Sequence, residues 1–423
     1  MKVLIVIHDY LPEHAGGSEL HAHQVAKELL ARGHEVTALF TERDITRPEG
    51  DFTEGEYEGV RTVEVIHQRE YPRLDETWNQ SLYAEIFRTQ LKRLAPDVVH
   101  FHHVAFWGAR CLEVAKEEGV RVVLTLHDFF LVCHNSVLLN GTELCDGGGA
   151  KGRCGACLPA ELLPEGLDDE AREAALLAGA AERRALHQAK FHSVDFIVSP
   201  SHYLLERLTL AGFDVPADRS AVLLYGYPGE RAPVRQREAT APLRVGYLGG
   251  LYPAKGVHVL VEAFRHLAAR DRTGKAPIQL EVRGHLDWFP DYVGGLQSAA
   301  EGLAVTFAGP YASGEAGEVL AAMDVLVVPS IWYENRPITI SEAYLAGVVP
   351  LVTDLGGMAE SVRAEEDGLT FPRGDAAALA DRLERLADEP GLWDRLAAGR
   401  PELPDAGEVV ETLLGYYQGS PHG

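Results

Sequence analysis

Residues 2–40 decide the fold class and read KVLIVIHDYLPEHAGGSELHAHQVAKELLARGHEVTALF. The apolar run at Lys2–His8 is short and typical of a strand buried on both faces of a parallel sheet. After a glycine-containing loop, apolar residues at helical spacing predict a helix over Ser18–Arg32 that ends at Gly33. A second strand is predicted at Glu35–Phe40. This order of strand, helix and strand predicts a parallel sheet with right-handed crossovers.

The same alternation continues through two halves of the chain, which are separated at Pro228–Pro242. This segment carries three prolines, several charges and few apolar residues, a composition typical of a linker between domains. A length of 423 residues exceeds one ordinary core and suits two domains. We therefore expect an α/β protein with a first Rossmann-like domain at 1–227 and a second at 228–400.

Charge is the unusual feature of the composition. Asp and Glu number 63 against 39 Lys and Arg, which gives a formal net charge of −24. Such a surface repels nucleic acid and anionic lipid, so we expect neither as a partner. No run approaches the roughly 18 apolar residues of a membrane span, and the first apolar run is too short for a secretory signal. We expect a cytoplasmic protein without a transmembrane segment, whose oligomeric state the sequence leaves open.

Gly16 and Gly17 lie in the loop between the first strand and the first helix. In open α/β sheets, ligands bind outside the carboxyl ends of the strands. Glycine lets a phosphate or sugar approach the backbone closely, and the amides of a helix start favour an anion. A glycine-rich turn without a ligand is the alternative. The loop has neither the G-x-G-x-x-G nor the Walker pattern, which disfavours nicotinamide and ATP sites.

A second motif, at residues 329–343, reads PSIWYENRPITISEA. A strand ends before it, its loop carries Glu334, and a helix is predicted to begin near Pro337, a residue favoured at first helical positions. That helix start directs free N–H groups at an anion. Glu342 falls in the second turn, where its carboxylate can accept hydrogen bonds from the paired hydroxyls of a ribose.

The E-x₇-E spacing of Glu334 and Glu342 resembles the signature of the retaining family 4 glycosyltransferases, which have the GT-B fold. The resemblance covers nearly the whole chain, in matching order and spacing. Its further matches are Gly16–Glu19, Arg32–Val36, His127–Asp128, Lys255–Gly256, Gly356–Gly357 and Glu365–Leu369.

The resemblance implies two Rossmann-like domains whose parallel sheets face a central cleft, with residues 401–423 returning to the first domain. It implies transfer of a sugar, with retention of configuration, from a nucleotide diphosphate donor to an acceptor hydroxyl. A glycan, a lipid-linked sugar and a small metabolite all remain open as the acceptor, and polysaccharide biosynthesis is the expected setting.

The resemblance also implies roles for individual residues. Lys255 neutralises the diphosphate leaving group, Glu334 contacts the donor sugar, and His127 lies near the anomeric carbon. Glu342 holds the ribose, and Tyr311 lies near the nucleobase. The complete expected donor site consists of Gly16, Gly17, Gly250, Lys255, Arg283, Tyr311, Glu334, Asn335, Arg336, Pro337 and Glu342.

The chain departs from the family at Gly250, where an arginine is usual. Arg283 or Arg336 would replace that cation, or else the phosphate is held differently. No D-x-D pair is present to hold a divalent metal, so we expect no catalytic metal: Lys255 and helix amides would quench the leaving-group charge. Since no carboxylate stands out as a nucleophile, front-face attack is favoured, with the donor phosphate helping to take the acceptor proton.

Four cysteines cluster in an insertion at residues 133–164 as Cys133-x₁₁-Cys145-x₈-Cys154-x₂-Cys157. The close pair Cys154 and Cys157, with Gly147–Gly149 and Gly152 nearby, allows the tight backbone of a tetrahedral thiolate site. A structural zinc ion is the favoured interpretation. Disulfides or a redox role, and unligated cysteines, are the alternatives.

Two rival functions remain open. A nucleotide-sugar epimerase of the same architecture is disfavoured by the E-x₇-E match. A non-catalytic sugar-nucleotide-binding subunit is supported by the missing arginine at Gly250. The sequence leaves the donor sugar, its base and the acceptor undetermined.

Overall fold

The computed structural model describes residues 1–145, 154–227, 231–238 and 240–420. The chain divides into two compact units: the first is Met1–Gly226 with Pro404–Gly423, and the second is Tyr227–Leu403. The residue at which we placed the domain boundary, Pro228, lies outside the described residues. Within the described residues, no helix combines the length and apolar character that crossing a membrane would need.

The first unit contains an eight-stranded sheet covered by helices. Its elements are β1 (Lys2–Val6), α1 (Gly17–Ala31), β2 (Glu35–Glu42), β3 (Phe52–Tyr57), β4 (Val60–Ile66), α2 (Glu76–Asn79), α3 (Ser81–Leu94), β5 (Val98–Phe101), α4 (Arg110–Glu117), β6 (Arg121–Thr125), β7 (Leu139–Asn140), β8 (Glu143–Leu144), α5 (Asp169–Phe191), β9 (Phe196–Ser199), α6 (His202–Leu210) and β10 (Ser220–Val222).

The strand order of this sheet is β10-β9-β6-β5-β1-β2-β4-β3. All neighbours pair in parallel except β3, which runs antiparallel to β4. The small hairpin of β7 and β8 forms a separate sheet. Chain order reverses between β1 and β5, so the loops that follow these strands flank a switch point, where open α/β sheets bind ligands.

The second unit contains a six-stranded sheet. Its elements are β11 (Leu243–Leu248), α7 (Val257–Ala268), β12 (Ile278–Arg283), α8 (Pro290–Ala299), β13 (Val305–Gly309), α9 (Ala316–Ala321), β14 (Val325–Val328), α10 (Ile338–Ala346), β15 (Val349–Thr353), α11 (Gly356–Ser361), β16 (Leu369–Phe371), α12 (Ala376–Asp388) and α13 (Leu392–Ala398). The strand order is β13-β12-β11-β14-β15-β16, parallel throughout. Its switch point lies between β11 and β14.

The last helix, α14 (Ala406–Gln418), packs within the first unit. Its apolar side chains join those of α1 and the sheet in one core. Tyr416 stacks on Phe196 with 3.9 Å between ring centroids, and the Tyr417 hydroxyl lies 2.7 Å from His100 Nδ1. These contacts anchor the end of the chain to the first sheet.

The α/β fold class with mostly parallel sheets is confirmed, and several strands lie where the sequence predicts them. The sequence analysis did not predict the β3–β4 hairpin. β3 is an exposed edge strand of sequence FTEGEY, so its residues lack the apolar pattern of the buried strands. The sequence analysis also missed β4, although its residues VRTVEVI alternate in polarity and are mostly buried.

Candidate functional site

In the second unit, two loops meet at the switch point. The loop after β11 carries Lys255 in a short 3-10 turn, and the loop after β14 carries Glu334. Ile331 N donates to Ala254 O at 2.9 Å, which joins the two loops through their backbones. The topology therefore brings together two residues that are 79 positions apart.

Lys255 and Glu334 form a close ion pair, with 2.6 Å between Nζ and Oε1. The same oxygen accepts from Ser330 Oγ at 2.8 Å and from Trp332 Nε1 at 3.0 Å. Three donors on one oxygen fix the orientation of the carboxylate. The ammonium also lies 5.4 Å from the Trp332 ring centroid, within the range of a cation–π interaction.

The charge of Lys255 is maintained by its neighbours. Burial alone would lower the pKa of Lys255, but the Glu334 carboxylate and Tyr252 outweigh that effect and raise it to about 12. Lys255 is therefore protonated at neutral pH. The exposed fraction of the side chain is 23% for Lys255 and 8% for Glu334. The cation is therefore the more accessible member of the pair.

Two glycines permit the close packing of the Glu334 loop. Gly256 has φ of 71°, and a Cβ there would lie 1.9 Å from Pro329 O. A Cβ on Gly357 would lie 1.6 Å from Asn335 O, and Gly357 N donates to Glu334 O at 2.8 Å. Any larger residue at either position would displace the loop that carries Glu334.

Helix α10 begins at Ile338, close to the predicted start, and Pro337 occupies the capping position and not the first helical one. Its ψ of 120° is extended, which places Pro337 outside the helical turn. Asn335 and Arg336 precede it in the same loop. The predicted cluster around the helix start is thus assembled, with the first amides of α10 lacking intrahelical acceptors.

The two candidates to replace the missing arginine differ in their contacts. Arg283, at the end of β12, donates from Nε to Glu281 Oε1 at 2.6 Å. Arg336 Nε is buried and has no hydrogen-bond acceptor among the described residues. At Gly250, a Cβ would lie 2.8 Å from the Tyr252 ring, which fills the space that a side chain would need. Arg336 therefore keeps an unpaired Nε donor, whereas Arg283 Nε is already bonded to Glu281.

Glu342 lies in α10 in a desolvated environment. Burial raises the pKa of Glu342 to about 7. Tyr311 lies near that carboxylate. Burial, with a further contribution from Glu342, raises the pKa of Tyr311 to about 12. A carboxylate in such surroundings gains from hydrogen-bond donors supplied by a ligand.

In the first unit, residues that the sequence analysis left without a role gather at the switch point between β1 and β5. His8 follows β1, and its Nε2 lies 3.1 Å from Glu19 Oε1. His103 follows β5, and its Nε2 lies 3.1 Å from Asp128 Oδ2. The rings of His8 and His103 are 4.4 Å apart.

These four side chains form an acid and imidazole cluster, in which two adjacent imidazoles each pair with a carboxylate. Burial would lower the pKa of His103, but Asp128, Glu19 and Asp9 outweigh it, so the pKa is raised. The pKa of Glu19 is lowered, since His8 and Ser18 outweigh the effect of burial. His8 ends the first predicted strand and Glu19 lies in the helix after it, so local sequence pattern does not group these side chains.

Gly16 makes room for this cluster. A Cβ on Gly16 would lie 2.4 Å from Glu19 Oε2, so the contact that needs glycine here is with the protein's own carboxylate. Gly17 is the first residue of α1.

His127 is held on both ring nitrogens. Nδ1 lies 2.8 Å from the Tyr225 hydroxyl and Nε2 lies 3.1 Å from His102 Nδ1. Burial and the neighbouring histidines, with His21 the strongest of them, hold the pKa of His127 well below its usual value. His127 is therefore a neutral, oriented hydrogen-bonding group.

The four clustered cysteines are half-buried and form no disulfide. Burial raises the pKa of Cys157, and the thiols of Cys133, Cys145 and Cys154 raise it further. Arg184 contributes a guanidinium 3.7 Å from Cys154 Sγ. In residues 1–145, 154–227, 231–238 and 240–420, no three His, Cys, Asp or Glu side chains stand in an arrangement that would hold a metal ion. Gly147–Gly149 and Gly152 lie outside the described residues.

Comparison with known families gives two matches that together cover most of the chain. Residues 15–228 match the family described as Glycosyltransferase Family 4. Residues 242–389 match the family described as Glycosyl transferases group 1. Glycosyltransferases of this group are generally independent of metal ions.

Individual proteins are similar over nearly the full length. A glycogen synthase of Mycobacterium tuberculosis is 24% identical over 95% of this chain and 90% of its own. The sucrose-phosphate synthase structure from Thermosynechococcus elongatus covers 99% of this chain and 98% of its own, with a TM-score of 0.69 and 19% identity. The Anabaena HepE structure with UDP and glucose covers 99% of both chains, with a TM-score of 0.63 and 16% identity. These structures support the GT-B fold class.

We expect Gly256→Ala to destabilise the second unit by about 2–4 kcal/mol, because the new Cβ meets Pro329 O and the positive φ adds backbone strain. Gly302→Ala is the matched control: Gly302 has φ of 76° with nothing within 4 Å, so its cost is the backbone strain of about 1–2 kcal/mol. Thermal unfolding of both variants measures the difference. Equal losses would show that the contact with Pro329 is unimportant.

The raised pKa of Glu342 makes its ionisation oppose folding. As pH rises from about 4.5 to about 7, the unfolded chain loses this proton first, so the free energy of unfolding falls and the penalty is complete above pH 7. We expect Glu342→Gln to raise Tm relative to the wild type by about 2–4 °C at pH 8, and much less at pH 4.5. The exposed Glu318→Gln is the control. A difference that is the same at both pH values would contradict the prediction.

Proposed function

The chain belongs to glycosyltransferase family 4, and we propose that it transfers a sugar, with retention of configuration, from a nucleotide diphosphate donor to an acceptor hydroxyl. The observation that carries the proposal is the ion pair of Lys255 and Glu334 at the switch point of the second sheet. A charged, oriented lysine beside a helix start suits a diphosphate leaving group.

The donor roles follow from this placement. Lys255 and the first amides of α10 quench the charge that develops on the departing diphosphate, and Arg336 adds the cation that is absent at Gly250. Each such preorganised group supplies about 2.7–4 kcal/mol of transition-state stabilisation. Glu342 accepts from the ribose hydroxyls, and Tyr311 lies on the side of the nucleobase.

Front-face attack is the mechanism that suits these residues. The bond between the anomeric carbon and the phosphate oxygen breaks while the acceptor oxygen bonds to the same face, and the acceptor proton passes to the departing diphosphate. Glu334 has one oxygen occupied by three donors, which suits a group that positions the sugar and not a nucleophile. His127, neutral and held by Tyr225 and His102, contacts the reacting sugar. No step requires a metal ion.

The setting of the reaction is part of the same proposal. Similarity to proteins named glycogen synthase supports a role in polysaccharide biosynthesis in the cytoplasm. Structures in complex with UDP and with UDP-glucose make UDP-glucose the first donor to test. The acceptor classes are a glycan, a lipid-linked sugar and a small metabolite.

Turnover of UDP-glucose, over a panel of acceptors, tests the proposal. We expect Lys255→Ala to lower kcat for transfer and for donor hydrolysis by about 10²-fold or more. Tm should also fall, because the buried Glu334 carboxylate loses its cation and keeps the neutral donors Ser330 and Trp332. Lys275→Ala, which removes an exposed lysine of the same unit, is the control and should leave kcat unchanged. Product anomers are assigned by NMR.

Each outcome decides between functions. Unchanged turnover in Lys255→Ala removes the lysine from the phosphate site. Binding of nucleotide sugars without any turnover supports the non-catalytic subunit, for which the glycine at position 250 is the specific observation. Epimerised free donor supports the epimerase, and an inverted product contradicts retention.

We also propose that Cys133, Cys145, Cys154 and Cys157 hold a structural zinc ion. The donor set fits the metal: four thiols without disulfides, close enough to influence one another's ionisation, with a guanidinium nearby to offset thiolate charge. Since no metal-holding arrangement is present among the described residues, the thiols must close on the ion. Zinc would then pin an insertion that has little core of its own.

Elemental analysis of the purified full-length chain tests this proposal. We expect close to one zinc per chain, and loss of that zinc with a lower Tm in Cys154→Ser. Cys111→Ser is the control, since Cys111 is fully buried in the packing of α4. A zinc-free protein, whether its thiols are free or paired in disulfides, would overturn the proposal.

A further inference from the structure

A cavity in the first unit lies beside the acid and imidazole cluster. Its volume is about 460 Å³, and it opens where β4 ends and α3 begins. Its lining includes His67, Tyr71, Tyr83 and three glutamates, and it contains neither lysine nor arginine. None of the donor roles above uses these residues.

The aromatic wall of this cavity is rigid. His67 stacks on Tyr83 with 4.1 Å between ring centroids and 13° between planes. The Tyr83 hydroxyl lies within hydrogen-bond distance of two acceptors, the Glu49 carboxylate and, at 2.8 Å, Ile66 O. His67 Nδ1 accepts from Arg69 N at 2.8 Å. His67 and Tyr83 are 1% and 3% exposed, so this stacked pair backs the cavity, and Tyr71, which is half-buried, is the aromatic side chain that faces a ligand.

The remaining lining is negative and open to a ligand. Glu70 and Leu82 are exposed, and Glu76 and Tyr71 are half-buried. Carboxylates accept hydrogen bonds from hydroxyls, and aromatic faces pack against the C–H faces of sugars. The same carboxylates repel a phosphate, and the net charge of −24 adds to that repulsion.

Arg69 and Phe106 connect the cavity to the cluster. The Arg69 guanidinium lies 3.8 Å from the Phe106 ring centroid and pairs with Asp9, so its charge is already balanced. Phe106 also contacts the rings of His67 and His8. Both Arg69 and Phe106 have φ near +60°, a conformation that non-glycine residues seldom adopt. Arg69 and Phe106 therefore connect the cavity to the cluster through direct contacts made from an uncommon backbone conformation.

We propose that this cavity is an acceptor subsite for a neutral, hydroxyl-rich acceptor, such as a glycan or polyol, and that it rejects phosphorylated acceptors. The inference rests on the proposed glycosyl transfer. The cavity holds the part of the acceptor beyond the reacting hydroxyl, which lies toward His8 and His103. Aromatic packing gives the affinity, and the glutamates give the selection against anions.

Acceptor binding and acceptor kinetics test the inference separately. Saturation-transfer NMR without donor compares maltotriose, methyl glucoside and glucose 6-phosphate on the full-length chain. We expect the neutral probes to bind and glucose 6-phosphate to be excluded at low salt. Preferential binding of glucose 6-phosphate, or binding of none of the probes at millimolar concentration, would overturn the inference.

Two variants locate the effect. We expect Tyr71→Ala to raise KM for the neutral acceptor by about 10-fold with little change in kcat, since it removes binding and not chemistry. Glu70→Lys should shift the ratio of kcat/KM between phosphorylated and neutral acceptors by about 10-fold toward the phosphorylated one, and added salt should reduce that shift. Glu56→Lys, the same charge change on the exposed strand β3, should leave the ratio unchanged.

The experiments distinguish a failure of the proposed acceptor subsite from a failure of the proposed glycosyl transfer. If transfer proceeds but Tyr71→Ala and Glu70→Lys behave as the wild type does, the subsite is wrong and the glycosyl transfer stands. If neutral probes bind and Tyr71→Ala weakens that binding, but no donor is turned over, the subsite stands and the transfer is wrong.

Discussion

The ion pair between Lys255 and Glu334 is the interaction on which the candidate donor site depends. A lysine that is three-quarters buried would lose charge to desolvation, and the carboxylate at 2.6 Å prevents this. The pair can form because Gly256 lets the loop after β11 touch Pro329, and because Gly357 lets α11 reach the Glu334 backbone. Two positions without a Cβ thus allow the loop contacts that hold this ion pair, in which the lysine is ionised and oriented.

Local pattern was enough to predict the fold class, whereas the residues of the candidate donor site came from the family resemblance. Strands β1 and β2 begin at the residues that their apolar runs predict, Lys2 and Glu35, because strands buried in parallel sheets are short and continuously apolar. The proximity of Lys255 and Glu334 was expected from the family resemblance, because a resemblance relates residues that are far apart in the chain and local spacing does not. The two loops that bring the pair together are joined by tertiary contacts, and no local pattern encodes these.

The residues that the sequence analysis left unassigned share one property: their meaning depends on partners far away in the chain. His8, which follows β1, pairs with Glu19 of α1, and His103, which follows β5, pairs with Asp128, which follows β6. Gly16 was interpreted as an approach for a ligand, and in the structure a Cβ there would also meet Glu19 Oε2. Pro337 shows a similar limit of sequence-based prediction. Proline is favoured near a helix start, but that preference does not decide between the capping position and the first turn.

The two switch points differ in the charge of the side chains that they present. The second sheet presents Lys255 and Arg336 around a helix start, which suits a group that leaves with negative charge. The first sheet presents Glu19, Asp128 and Asp9 with imidazoles between them, which suits hydroxyls that donate hydrogen bonds and give up a proton. The net charge of −24 disfavours binding of an anionic nucleotide diphosphate where no cation is near. The proposed recognition of the diphosphate therefore depends on the cations that the second switch point presents, Lys255 and Arg336.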